Sequence, residues 1–156
     1  MSKTAQLDKA VPAFSVAATS DLTLKAKDLK GRKTVIYFYP KDNTPGCTTE
    51  GSDFRDLYKD FQKAGCDIYG VSKDSLRSHE NFRKKLGLPF ELISDEDETF
   101  CRLFDVIKLK KMYGREFEGI ERSTFLIDTD GKLRTEWRKV KVKGHASDVL
   151  AAAQAL

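Results

Sequence analysis

One of the three cysteines in this 156-residue chain lies where a helix should begin. Thr44 is a favourable N-cap residue, and Pro45 suits the first helical position because its missing N–H costs nothing there. Cys47 then falls in the first turn, where unpaired backbone N–H groups and the positive end of the helix dipole favour an anion. The segment therefore predicts a reactive thiolate at Cys47, the form in which cysteine is a nucleophile.

An acidic residue one turn later opposes that thiolate. Glu50 follows Cys47 by three positions, and its negative charge has to be neutralised by a cation if the sulfur is to stay ionised. Lys41, Arg55 and a more distant arginine are the candidates.

The other two cysteines, Cys66 and Cys101, are predicted to be small buried hydrophobes. Cys66 falls between a helix and a strand, and Cys101 lies in an apolar helical patch. An odd number of cysteines argues against a secreted disulfide framework. No two cysteines are closely spaced, and His79 and His145 are far apart in sequence, so we expect no zinc site.

Composition limits the class of protein. The chain has 40% hydrophobic residues, a net charge of +4 and no long apolar run, which predicts one cytoplasmic domain over residues 1–156 without a signal peptide or membrane span.

Basic clusters occur at Lys108, Lys110 and Lys111 and over residues 138–143. Because lysines alternate with valines in the second cluster, it predicts a half-exposed strand, and we expect no nucleic-acid binding.

Hydrophobic periodicity and turn residues predict the elements that position Cys47. The predicted strands and hairpin arms are 14–17, 22–25, 34–39, 67–72, 90–94, 122–127 and 132–137, and the predicted helices are 45–64, 75–86, one starting at the acidic segment 95–98, and 146–156. Strands that alternate with helices and end in a hairpin indicate an α/β fold, with a mixed central sheet flanked by helices on both faces and an N-terminal hairpin.

The segment Tyr39–Glu50 (YPKDNTPGCTTE) resembles the active-site motif of peroxiredoxins, P-x-x-x-T-x-x-C. More narrowly, it is similar to the motif Y-P-K-D-x-T-P-G-C-T-x-E of the bacterioferritin comigratory protein subfamily, also called peroxiredoxin Q. The segments 67–74, 119–128 and 137–145 extend the resemblance over almost the whole chain.

This resemblance implies a thioredoxin-like fold and a role for each of four residues. Cys47 matches the peroxidatic nucleophile, Thr44 the hydroxyl that binds the peroxide, Pro40 the shielding proline and Arg122 the active-site arginine. It also implies reduction of hydrogen peroxide and organic hydroperoxides through a Cys47 sulfenic acid, in antioxidant defence, by a monomer that needs no metal or organic cofactor.

The chain departs from the subfamily where the sulfenic acid has to be resolved by a thiol. Ser52 and Arg83 stand at the two positions where related proteins carry a resolving cysteine. Three mechanisms remain: an external thiol such as thioredoxin, glutaredoxin or glutathione, an internal thiol (Cys66 or Cys101) after local unwinding, or a disulfide between chains. An engineered replacement at Arg83 is a further alternative.

Two other functions compete with the peroxidase. A disulfide oxidoreductase would need a C-x-x-C pair, which Cys47-Thr48-Thr49-Glu50 lacks. A redox sensor would use the same reactive cysteine but keep its oxidised state. Four aromatic residues are predicted to lie in the core or to line the pocket wall: Tyr37, Tyr39, Tyr113 and Trp137. His145 is predicted to be a capping or packing residue.

Overall fold

The computed structural model describes residues 4–156, which form nine strands and five α-helices. The strands are β1 Ser15–Ala18, β2 Leu22–Lys25, β3 Lys33–Phe38, β4 Cys66–Ser72, β5 Glu91–Ser94, β6 Ile107–Met112, β7 Arg115–Ile120, β8 Ser123–Ile127 and β9 Leu133–Trp137. The helices are α1 Pro45–Asp56, α2 Tyr58–Lys63, α3 Leu76–Leu86, α4 Thr99–Leu103 and α5 His145–Ala155, and a 3₁₀ turn spans Ala26–Leu29.

Seven strands form the central sheet in the order β2-β1-β5-β4-β3-β8-β9. Strand β4 pairs in parallel with β3 and β5, and the other neighbours are antiparallel. The two parallel pairs are connected through α1–α2 and α3, as parallel strands require a crossover. The mixed sheet and the N-terminal hairpin are therefore confirmed, and most predicted strands agree with the structure to within one residue.

Strand β3 lies at the centre because its side chains are apolar on both faces. Val35 and Tyr37 belong to a core cluster that includes residues of α1, α2, α3 and α5. Ile36 and Phe38 belong to a second cluster that includes residues of α4. Successive side chains of a strand point to opposite faces, so β3 separates two cores, and its C-terminal end leads into the loop before α1.

The predicted helix 45–64 is in fact two helices. Leu57 leaves the helical conformation (φ −97°, ψ 3°), and α2 begins at the next residue. The carbonyl of Leu57 accepts N–H donors from the following turn, which restarts the helix. The bend lets Phe54 and Phe61 pack against each other, with 5.8 Å between their ring centroids.

The predicted strand over residues 138–143 is wrong. Strand β9 ends at Trp137, and Lys139 adopts a left-handed backbone conformation (φ 51°) that no strand contains. Arg138 donates to the carbonyl oxygens of Phe104 and Asp105, at 3.0 and 2.8 Å. These contacts direct the chain away from the sheet, although basic residues and valines alternate in its sequence.

The structure also contains a hairpin that the sequence did not predict. Strands β6 and β7 pair from Ile107 opposite Ile120 to Met112 opposite Arg115, apart from the main sheet. Tyr113 lies in its turn and is 96% exposed, so its prediction as a core or pocket residue is wrong. No α-helix within residues 4–156 is long and apolar enough to cross a membrane.

Candidate active site

Cys47 is the third residue of α1 and is almost fully buried, with 1% of its surface exposed. Thr44 is the N-cap and Pro45 the first helical residue, as predicted. The Thr44 hydroxyl does not cap the helix, however. It donates to the carbonyl oxygen of Lys41 at 2.8 Å, which leaves its oxygen lone pairs as acceptors.

Arg122 connects Cys47 with Glu50. It lies between β7 and β8, and its Nη2 donates to Sγ of Cys47 at 3.3 Å, while its Nη1 donates to Oε1 of Glu50 at 2.6 Å. The cation beside Glu50 is thus the distant arginine and neither Lys41 nor Arg55. Arg55 instead donates to the carbonyl oxygen of Leu86 and to Asp56.

Burial controls the electrostatics of this group. It raises the pKa of Glu50 to about 7, although the Arg122 charge acts in the opposite direction. The pKa of Arg122 is raised, because the charges of Glu50 and Cys47 outweigh the effect of its own burial. Within residues 4–156, Oε2 of Glu50 and the hydroxyl of Tyr37 are buried without a hydrogen-bond partner.

The loop that carries Pro40 and Thr44 is fixed by the Asp42 carboxylate. Pro40 itself is exposed. Oδ1 of Asp42 accepts from the Tyr39 hydroxyl at 2.6 Å, and Oδ2 accepts from the Ser78 hydroxyl at 2.8 Å. Because Ser78 lies on α3, this carboxylate joins the loop before Cys47 to that helix.

His79 completes the connection and is fully buried. Its Nδ1 is 2.8 Å from Oδ2 of Asp42, and its Nε2 is 3.0 Å from the carbonyl oxygen of Ile93. The ring therefore joins the Asp42 carboxylate to the backbone of β5. Burial raises the pKa of Asp42, but the hydrogen bond and charge of His79 outweigh it, so the net shift is downward.

The same region offers the oxygen and nitrogen atoms that a metal could use. One ligand atom from each of Asp42, Asp74 and His79 lies within 4.8 Å of the others. Each of these side chains already has protein partners, since Asp74 accepts from the backbone N–H of Asp42 at 2.9 Å and from the hydroxyl of Ser72 at 2.5 Å. We therefore assign this cluster a structural role. This cluster was not predicted from the sequence, in which His79 was its only signal.

Cys66 and Cys101 are not brought near Cys47. Cys66 pairs in register with Lys33 at the far end of β3, roughly 17 Å along the strand from the end that leads to Cys47. Cys101 lies in the core cluster on the opposite face of the sheet. Both are fully buried, and burial raises the pKa of the Cys66 thiol to about 12 and that of Cys101 even further. Their prediction as buried residues is confirmed.

His145, the first residue of α5, packs as predicted. Its Nε2 is 2.7 Å from the Thr124 hydroxyl, and its ring lies edge-on to Phe54 and Trp137. Burial lowers its pKa to about 4, so the imidazole is neutral at pH 7. Tyr37 and Tyr39 are buried in the same core cluster as Cys47, as predicted.

Comparison with known proteins identifies the family. The AhpC/TSA family profile matches residues 7–136. The chain belongs to this family. It is 57% identical over 142 residues to peroxiredoxin Bcp of Xanthomonas campestris pv. campestris, covering 91% of the chain and 88% of that protein. It is 48% identical over 147 residues to peroxiredoxin Bcp of Bacillus subtilis, covering 94% of each.

Solved structures agree with this membership. The bacterioferritin comigratory protein of X. campestris, studied for its alkyl peroxide reduction activity, superposes with a TM-score of 0.87 at 53% identity, over 91% of this chain and 90% of that one. A Xylella fastidiosa PrxQ mutant superposes with a TM-score of 0.88 at 41% identity, over 99% and 96%. The chain is therefore a peroxiredoxin with a thioredoxin-like fold, a thiol-dependent peroxidase.

Proposed function

We propose that Cys47 is the peroxidatic nucleophile. The observation that carries this proposal is the contact between Sγ of Cys47 and Nη2 of Arg122, at 3.3 Å in the first turn of α1. A permanent cation and the helix dipole both stabilise a thiolate there. The other two cysteines are fully buried, and burial raises the pKa of each thiol.

The reaction is a displacement at a peroxide oxygen. The Cys47 thiolate attacks one oxygen and the O–O bond breaks, so Cys47 becomes a sulfenic acid and hydroxide or an alkoxide leaves, which a proton then converts to water or an alcohol. Arg122 holds the peroxide and stabilises the charge that moves to the leaving oxygen. The Thr44 oxygen accepts a hydrogen bond from the peroxide, because its own hydrogen is donated to Lys41. Pro40 shields the pocket, and both hydrogen peroxide and organic hydroperoxides are substrates.

The sulfenic acid is resolved by an external thiol: thioredoxin, glutaredoxin or a small thiol. Ser52 and Arg83 occupy the positions at which the subfamily resemblance implies a resolving cysteine. Cys66 and Cys101 lie at the far end of β3 and across the sheet, whereas a disulfide needs Cα atoms within about 7 Å. Arg83 is also tied to Glu91, which opposes movement of α3.

We further propose that the chain acts as one domain and as a monomer, in the cytoplasm, for cell redox homeostasis. The continuous seven-stranded sheet between two cores supports a single folding unit. The three cysteines are free and buried, which suits a reducing compartment.

Stopped-flow peroxide consumption tests the assignment. Wild type, Cys47→Ser and the double variant Cys66→Ser/Cys101→Ser are compared with thioredoxin, glutaredoxin or glutathione as reductant. We expect only Cys47→Ser to abolish turnover. A double variant that stops after one cycle would show that an internal cysteine resolves the sulfenic acid, and turnover by Cys47→Ser would contradict the nucleophile itself.

A further inference from the structure

One guanidinium group serves two acids in the site. Arg122 contacts Sγ of Cys47 through Nη2 and Oε1 of Glu50 through Nη1. If both acids were ionised, this buried group would carry one negative charge in excess. Two acids that share one cation titrate as a pair, and one proton is retained where the dielectric is low.

The geometry indicates where that proton resides. Oε1 of Glu50 is paired, but Oε2 is buried and has no hydrogen-bond partner among residues 4–156. An ionised carboxylate needs a hydrogen-bond donor at each of its two oxygens. In a carboxylic acid, one oxygen carries the hydrogen itself and does not need a donor. Glu50 is 1% exposed, so solvent cannot supply those donors at low cost.

The other charged and titratable groups around Glu50 favour the same form. Burial has the largest effect in raising the pKa of Glu50. The negative charge of Asp53, one turn further along α1, raises it further. Tyr37 faces it from β3 and stays neutral, because burial and the Glu50 charge raise its own pKa well above 10. From two other elements, Lys110 and His145 face Arg122: burial lowers the pKa of each, and the Arg122 charge lowers it further. Among the residues described, Arg122 is the charged side chain that contacts Glu50, and the same guanidinium contacts Cys47.

Peroxide reduction needs a proton at this site. The attack of the thiolate transfers two electrons from sulfur to the O–O bond and forms the S–O bond. The oxygen that leaves is hydroxide or alkoxide, which is a strong base and becomes water or alcohol only after it gains a proton.

We propose that Glu50 is the proton reservoir of the reaction, holding one proton while Cys47 is a thiolate and releasing it to the leaving oxygen. The balance is Cys47–S⁻ and Glu50–COOH with ROOH, giving Cys47–SOH and Glu50–COO⁻ with ROH. The negative charge moves from sulfur to the carboxylate, so the charge beside Arg122 is the same before and after the step. This inference rests on Cys47 as the nucleophile.

The choice of oxidant separates proton supply from simple positioning of Arg122. Hydrogen peroxide releases hydroxide, which needs a proton, whereas peracetic acid releases acetate, which is stable as an anion. We expect Glu50→Gln to lower the rate constant of Cys47 oxidation by about 10²-fold with hydrogen peroxide, a typical effect of general acid catalysis, and by only a few-fold with peracetic acid. Equal losses with both oxidants would show that Glu50 only positions Arg122.

Asp53→Asn is the matched control, since it removes an acid from the same helix without touching Arg122. It should change both rate constants alike and only slightly. A wild type that reacts with neither oxidant would instead refute the peroxidase function, an outcome distinct from failure of the Glu50 proposal.

A second measurement uses only the wild type and therefore does not depend on the variant's folding. The rate constant of Cys47 oxidation by hydrogen peroxide is measured from about pH 6 to about pH 8, and thiolate absorbance gives the ionised fraction of Cys47 at each pH. We expect the rate constant per thiolate to fall as the pH rises through about 7, where Glu50 loses its proton. A rate constant per thiolate that stays level across this range would overturn the proposal.

Discussion

Gly46 and Arg122 approach so closely that a methyl group on Gly46 would lie 3.1 Å from Nη2 of Arg122. That nitrogen is the one that contacts Sγ of Cys47. Position 46 is inside α1, where alanine is ordinarily the better helix former. An alanine at this position would therefore suit the helix but would have to push the guanidinium aside by a few tenths of an ångström.

Gly46→Ala should slow peroxide reduction without destabilising the protein. The added methyl group displaces the guanidinium by a few tenths of an ångström or more, and small misplacements at a reacting centre cost up to about 10²-fold in rate. We expect a ten- to hundredfold lower rate constant for Cys47 oxidation, with a free energy of unfolding equal to or above that of wild type.

Thr49→Ala serves as the control for that change, because Thr49 lies on the exposed side of the same helix turn and bonds only the carbonyl oxygen of Pro45. It should leave the rate constant close to that of wild type. A Gly46→Ala protein as fast as wild type would mean that the guanidinium can move without loss of function.

His145 should make the protein less stable in acid. Burial lowers its pKa from an ordinary 6.5 to about 4, so between these values the unfolded chain binds a proton that the folded chain excludes. The contribution of the neutral His145 ring to the free energy of unfolding is fully present above pH 6.5. About 3 kcal/mol of it is lost as the pH falls towards 4. Urea unfolding of wild type and His145→Asn at several pH values measures this contribution.

At pH 7, His145→Asn should have a lower free energy of unfolding than wild type. At pH 4 the free energy of unfolding of the variant, relative to that of wild type, should be higher by about 3 kcal/mol than it is at pH 7. The comparison has to be made between variants, because Glu50 acts with the opposite sign. Its pKa is raised to about 7, so its contribution is present at low pH and is lost as the pH rises through 7. A difference between wild type and His145→Asn that stays constant with pH would contradict the assignment.

The helix start at Cys47 could be predicted because its signals are local. Thr44 and Pro45 define the first turn, and that turn places the sulfur at the positive end of the dipole whatever the rest of the chain does. The partner of Glu50 could not be found in this way. The nearest cations along the chain are Lys41 and Arg55, but the fold brings Arg122 from 72 positions away.

The hairpin of β6 and β7 was missed for a related reason. Residues 107–110 (IKLK) do alternate apolar and polar side chains, but Leu109 is exposed, as are most side chains of the hairpin, so this short alternation marks no buried face. Residues 138–143 have that alternation but form no strand, since contacts of Arg138 with carbonyl oxygens determine the path of the chain. Periodicity indicates burial of alternate residues and cannot reveal such single contacts.

Breaking the buried contact between Asp42 and His79 should destabilise the protein. Removal of either partner leaves a polar group of the other buried without its hydrogen-bond partner, which typically costs about 1–3 kcal/mol. We expect that cost for Asp42→Asn and for His79→Gln, measured by urea unfolding. The double variant should lose clearly less than the sum of the two, because the second change removes the group that the first left without its partner. Additive losses would show that the two side chains act independently.

Arg83→Cys should convert resolution by an external thiol into internal resolution. Arg83 stands where the subfamily resemblance implies a resolving cysteine, and its guanidinium holds α3 through the carbonyl oxygen of Phe90 at 2.9 Å and Glu91 at 3.3 Å. The substitution supplies a thiol and removes these contacts together, so α3 can open towards Cys47. With one equivalent of peroxide, we expect a disulfide between Cys47 and the introduced thiol.

Arg83→Ser separates these two effects, since it loses the same contacts without gaining a thiol. In this variant and in wild type, peroxide should leave a Cys47 sulfenic acid that a sulfenate-trapping reagent labels and mass spectrometry detects. Arg83→Cys should escape labelling and lose two free thiols per chain. If Arg83→Cys is labelled as fully as wild type, α3 does not bring position 83 within bonding distance of Cys47, and the identity of residue 83 is not what makes resolution external.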